Sequence, residues 1–183
     1  MVPVRYILIS TFCLIPFLTL AQVDTSYLKS LYDRCLDFDE SKKDSLCYYA
    51  SYIEKESLKL AFYNGAVLSL RLKGLCQEFQ TDYEKAIDFY LQSLEEAHRI
   101  NEIPYEISAL SDLAIAYSAI HRPLEAKKFY MRCAQLAAQT REISTVVTSL
   151  NNLGVIYSQL EQYDSALIFL NNALRRGKQQ AGR

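Results

Sequence analysis

Glycine, proline and histidine are scarce in this chain of 183 residues, which holds five, four and two of them. Five scattered glycines cannot build a phosphate-cradling loop. The two histidines, His98 and His121, fall at different slots of the pattern described below, and acid–base catalysis needs convergent partners. The cysteines form no C-x-x-C pair and the histidines no helical pair, so no metal site is expected. The reading is therefore of a chain that is not an enzyme, with no catalytic, cofactor-binding or metal residues to nominate. Charge of one sign is missing too: the net charge is −1 and the pI about 6.1, which gives no basic field for nucleic acid. Half the residues are hydrophobic, and together with so little glycine and proline this predicts an ordered chain with a real core.

One long apolar run is present, at the start. "MVPVR" carries an early positive charge, "YILISTFCLIPFLTL" is uncharged, and Thr19-Leu20-Ala21 sets small residues before a cut ahead of Gln22. Residues 1–21 read as a secretory signal peptide. The competing reading, a membrane anchor, needs about 20 apolar residues, and residues 6–21 are shorter and contain Pro16. Thr11-Phe12 before Cys13 is not a lipobox. Removing this segment takes Arg5 with it and leaves a charge of about −2. The expected location is periplasmic or secreted, where disulfides form. Cys35 and Cys47 flank the polar stretch "DFDESKKD" and are the candidate disulfide. Cys76 aligns with Ala116 and Ile156 in the pattern below, and Cys133 with Ser93 and Ala173, so both read as small core residues.

The rest of the chain repeats itself. "LRLKGLCQEFQTDYEKAIDFYLQSL" (70–94), "LSDLAIAYSAIHRPLEAKKFYMRCA" (110–134) and "LNNLGVIYSQLEQYDSALIFLNNAL" (150–174) are offset by 40 residues. Apolar positions recur at helical spacing, as in Ala86, Phe89, Tyr90, Ser93, Leu94 and Ala97. Short polar turns divide each copy, with Thr81 and Glu84 fitting a capping box and Pro123 suiting a first helical position. Each copy is thus an antiparallel helical hairpin. Gly74, Ala114 and Gly154 in the first helices, and Ala86, Ala126 and Ala166 in the second, are small wherever two axes must approach closely. Phe89, Phe129 and Phe169 share one slot, and Tyr117 and Tyr157 another, where Gln77 stands in the first copy.

This spacing of small residue, tyrosine, alanine and small residue resembles the tetratricopeptide repeat, in a lengthened form, since the family's usual period is about 34. The resemblance covers residues 67–176 as three repeats (67–106, 107–146 and 147–176), with a degenerate opening hairpin over 24–62, built around Ala50, and a tail at 177–183. It implies an all-α solenoid of antiparallel hairpins in a right-handed superhelix, with a concave face lined by the first helices. Protein or peptide binding is the function it implies. The slots pointing into that groove are Arg71, Leu75 and Glu78, then Ser111, Ile115 and Ser118, then Asn151, Val155 and Ser158. Hydroxyls and amides there suit an extended peptide; the alternative is that they are ordinary exposed helix residues. The lysine and asparagine carboxylate clamp of chaperone-binding members is not reproduced.

An exported front end followed by 40-residue repeats also resembles the sensor region of signalling proteins of the Bacteroidetes type. The alternative is a self-contained exported scaffold that self-associates. No polar capping helix follows Leu174, so Leu167, Leu170 and Leu174 are expected to present apolar surface, either to a continuation of the chain or to another copy. Membrane association would come only through a retained signal segment or a further C-terminal part. Arg175, Arg176, Lys178 and Arg183 read as a helix end complementing its dipole; an anionic phosphate or lipid site is the sharper reading of the same charges.

Overall fold

A computed structural model describes residues 23–182, so the signal-peptide reading of residues 1–21 lies outside the described residues. Eight α-helices make up four hairpins: α1 (Thr25–Leu36) with α2 (Lys43–Lys59), α3 (Asn64–Glu78) with α4 (Tyr83–Arg99), α5 (Ile103–Ala119) with α6 (Pro123–Gln139), and α7 (Ile143–Gln159) with α8 (Tyr163–Ala181). A single 3₁₀ turn, Glu40–Lys42, bends the chain between α1 and α2. The last helix runs through Ala181, so most of the stretch read as a tail, 177–183, is helical.

From α2 onward each helix packs chiefly on the one before and the one after it. The core is accordingly a row of clusters and not one centre. Leu28, Leu31, Cys35, Leu46, Ala50, Ile53, Leu68 and Leu72 fill the space among α1, α2 and α3, and Ile107, Leu110, Cys133, Ala137 and Val146 do the same further along. Among the odd-numbered helices α3 touches both α1 and α5, while the even-numbered ones make no comparable approach. Spacing that is tighter on one side than the other bends the stack, and the odd-numbered helices line its inner face.

The turns show why so few glycines suffice. Ala61, Thr81, Asn101, His121, Arg141 and Glu161 all have positive φ, between 49° and 62°, and fall at intervals of 20 residues. In each case the next residue donates its N–H to a carbonyl five residues back, as Phe62 does to Ser57 and Gln162 to Tyr157, both at 2.9 Å. That bond closes the helix end with a left-handed residue where glycine is usual, at a cost of about 1 kcal/mol for a side-chain-bearing residue. From α2 onward, turns within hairpins and between hairpins therefore share one geometry, and the 40-residue period is two equal halves.

Three expectations are corrected. Thr81 is not a helix cap, because it occupies the left-handed turn position; Asp82 caps α4 by accepting from the Lys85 N–H at 3.2 Å. Cys35 and Cys47 do not pair. Cys35 continues the stripe of Leu28 and Leu31 into the core and is a free buried thiol, which burial pushes up to about 11. Cys47 instead faces α3 and is bonded to Cys76, with Cα atoms 5.4 Å apart, so Cys76 is a bridging residue and not a simple core filler. Pro123 opens α6, where its missing N–H has no helical partner to lose.

Candidate functional site

Position 74 and its partner sixteen residues on build the inner face. Gly74 is buried, and a Cβ there would run into the Tyr90 ring, so the missing side chain lets Tyr90 of α4 lie directly on α3. The seat recurs as Ala114 beneath Tyr130 and Gly154 beneath Leu170. Ala86, Ala126 and Ala166 are buried opposite, on the second helices. Tyr90 also reaches the Glu78 carboxyl, the two side chains lining one pocket. In the second copy Tyr130 lies near Ser118 and Asn152.

Around Glu78 the groove closes into a pocket of about 260 Å³. Arg71, Leu75 and Glu78 enter it from one face of α3, Asp112 and Ile115 from α5, Tyr90 from α4 and Leu36 from the end of α1. The Arg71 guanidinium grips Asp112 in a fork, with one arm at 3.1 Å, and donates a further bond to the Tyr32 hydroxyl. Such a planar pairing is the strong form of an ion pair. It joins three hairpins, through α1, α3 and α5.

Burial shapes the charges here. Burial opposes the Arg71 charge, but the Asp112 carboxylate and the Tyr32 oxygen outweigh it and hold the guanidinium above its usual pKa. Burial also raises Tyr32 and Tyr90, so both are neutral phenols. Glu78 is pushed up to about 7, first by burial and then by repulsion from Asp112, with Tyr90 and Arg71 only partly compensating. Its Oε1 is shut off from solvent and has no hydrogen-bond partner.

The nine groove residues read from the sequence do not act as one site. Arg71, Leu75, Glu78 and Ile115 are brought together in the pocket. Ser111 and Ser118 are half-buried on α5, and the Ser118 hydroxyl donates to the Ala114 carbonyl of its own helix at 2.8 Å. Val155 and Ser158 are exposed on α7, and Asn151 lies in a separate shallow hollow with Val147, Leu174 and Lys178. Sequence reasoning missed Asp112, Tyr32, Tyr90 and Leu36. Asp112 carried a signal: it stands where the first copy has the fully buried Leu72 and the third has Asn152. A charge in a core slot of a repeat needs a partner, and Arg71 is that partner.

A second, larger hollow of about 450 Å³ lies beside the turn from α2 to α3, lined by Ser57, Phe62, Tyr63, Leu70, Glu96 and Arg99 among others. Its two charges at α4 are paired with each other at 2.6 Å. The unsatisfied Ser57 hydroxyl is pressed against Gly65 and not into the hollow. Among the described residues no group of acids, histidines or cysteines could hold a metal ion, and no helix is long and apolar enough to cross a membrane.

Residues 105–179 match the tetratricopeptide repeat family. The match spans α5 to α8 and leaves out the α3–α4 hairpin, where Gln77 replaces the slot tyrosine. Among solved structures, the chain is similar to BtubC (BKLC) from P. vanneervenii, with a TM-score of 0.70 and 14% identity over 86% of this chain and 73% of that one. It is also similar to MamA, with a TM-score of 0.54 and 16% identity over 88% of this chain and 99% of that one. Comparison with curated protein sequences gives no match. At these identities the likeness establishes the fold, an all-α solenoid of helical hairpins.

Proposed function

We propose that this chain, whose residues 105–179 are tetratricopeptide repeats, is a binding module that holds a protein or peptide against its inner face, on the exported side of a membrane. Repeats of this kind generally mediate protein–protein contact, and the fold supports this part of the reading. The observation that carries the choice of face is the pocket around Arg71, Glu78 and Asp112. It gathers charged and polar groups from three hairpins where α1, α3 and α5 converge. The Cys47–Cys76 bridge supports an oxidising compartment, in keeping with the signal-peptide reading. Within such a compartment the module serves as the sensing part of a signalling system.

A purified chain panned against a displayed peptide library tests the face. Ile115→Arg places a long charged chain in the groove from a position that is already exposed, so it should abolish capture of selected peptides. Leu124→Arg, exposed on the outer helix α6, should leave capture intact. Equal loss in both variants, or in neither, contradicts the inner-face reading. The exported scaffold remains the second reading because Leu167, Leu170 and Leu174 are 59%, 40% and 56% exposed on α8. If that reading holds, sedimentation should show self-association of the chain that Leu170→Glu removes; an unchanged mass would discard it.

A further inference from the structure

The last helix carries openly a face that the earlier second helices bury. Ile87 and Tyr90 of α4 pack with Leu113 and Ala116 of α5, and Tyr130 of α6 packs with Leu153 and Ile156 of α7. The same slots in α8 hold Leu167 and Leu170, and both are exposed. Tyr163 and Leu174 extend them into a stripe that Gly177 and Ala181 continue, so that six positions follow one another in alternating steps of four and three. That is the seam spacing of two paired helices. The stripe is large at its start, where Tyr163 and Leu167 stand out into solvent, and small at its end. There a hollow of about 380 Å³ lies along Val147, Leu174, Gly177 and Ala181, and a Cβ on Gly177 would meet nothing. Charge inverts along the same helix. Asp164, Asn171 and Lys178 flank the stripe at seven-residue intervals, and among the described residues neither Asp164 nor Lys178 has an ion-pair partner. Large faces small and negative faces positive only when this helix meets itself reversed.

We infer that two molecules of this chain pair through α8, the helices antiparallel about a two-fold axis. The register that overlaps α8 from end to end sets Tyr163 of one molecule beside Ala181 of the other, Leu167 beside Gly177 and Leu170 beside Leu174. In that register Asp164 meets Lys178 on the flank, and Asn171 meets its own counterpart near the axis. Every unlike contact occurs twice, as a two-fold requires. The protruding start of each helix fills the hollow at the end of the other. A parallel pair would instead set large on large, leave the hollows empty and bring Arg175 and Lys178 of both molecules together, a like-charge contact that costs affinity. The inference rests on the self-association given above as the second reading and adds its geometry. It is independent of the inner-face reading.

Sedimentation and cross-linking of the whole chain provide the test. The chain should sediment as a dimer at ~100 μM, and Leu167→Glu, at a position already exposed, should return the monomer while circular dichroism shows unchanged helicity. Asn171→Cys should be linked into a covalent dimer by bismaleimidoethane, with the unsubstituted chain as the blank. Asp164→Cys should not be linked, because its two copies would stand more than about 20 Å apart along the helix axis. Lys178→Glu should weaken the dimer about tenfold, since two exposed pairs are lost at once. Adding Asp164→Lys to Lys178→Glu exchanges the charges and should restore the affinity to within about twofold. A dimer that survives Leu167→Glu, that links through position 164 and not 171, or that the charge exchange does not restore overturns the antiparallel pairing and leaves self-association standing. A chain that stays monomeric removes both and assigns the face to a different protein.

Discussion

The two ends of the solenoid are held together by different means. At the front, α1 to α5 are tied across hairpins by the Cys47–Cys76 bridge, the Arg71 fork to Asp112 and Tyr32, and a Lys73–Glu54 pair at 2.6 Å. At the back, among the described residues, no ion pair involves α7 or α8, and the only buried residues of α8 are Ala166 and Ala173. The back relies on regular packing instead. Tyr117 stacks on Phe129 at 5.4 Å and Tyr157 on Phe169 at 5.0 Å, each ring pair nearly parallel. The front lacks that stack because Gln77 fills the tyrosine slot, and Phe89 receives the Lys73 ammonium at 5.9 Å instead. Where the repeat is regular, packing suffices and the groove is plain. Where it departs, specific polar bonds replace the missing packing, and the same departures create the pocket.

Substitutions can break this contrast, and the largest effect is expected at Asp112. Asp112→Ala leaves the Arg71 charge without its partner in a mostly buried setting, which should cost about 3–5 kcal/mol in urea unfolding. Replacing both partners by apolar residues, Arg71→Met with Asp112→Leu, should recover most of that loss. Next comes the bridge. It closes a separation of 29 residues, so converting Cys47 and Cys76 to serine should cost about 3 kcal/mol, with hydrogen exchange rising first in α2 and α3 and little in α8.

The two glycine seats give a finer comparison. Gly74→Ala forces a methyl against the Tyr90 ring, which is only 2% exposed and cannot retreat, so thermal unfolding should show a loss of about 2 kcal/mol. Gly154→Ala meets Leu170, which is 40% exposed and can swing outward. There the helix-propensity gain of about 1 kcal/mol should offset the crowding and leave stability nearly unchanged. Smallest is a pH effect confined to the front. Glu78 keeps its proton in the fold up to about 7 against an ordinary value of 4.5, so between those limits the unfolded chain holds fewer protons than the native one. Stability contributed here is lost as pH rises through that window. Glu78→Gln should therefore change little at pH 4 and stabilise modestly at pH 8.

The solenoid was legible because its cause is written at fixed spacing: small residues at 74, 114 and 154, and at 86, 126 and 166, can serve only where helices meet closely. The opening hairpin was legible in outline through Ala50, which is fully buried. Its disulfide was not, because the reading placed Cys35 and Cys47 across a loop and ignored the stripe of Leu28, Leu31 and Cys35 that turns Cys35 inward. Thr81 was misread as a cap because nothing local distinguishes a left-handed turn residue from a cap one place later. The pocket was half legible. Arg71 and Glu78 share a helix face, but their partners Tyr32, Tyr90 and Asp112 come from three other helices and meet only when the stack is assembled.

Carbon-detected NMR titration of the Glu78 side-chain carboxyl tests the central claim most directly. It should titrate near 7, because burial and the neighbouring Asp112 carboxylate both oppose its charge. A midpoint near 4.5 would contradict the account, because it would mean that Glu78 stands in open solvent and not in the pocket that the front helices build.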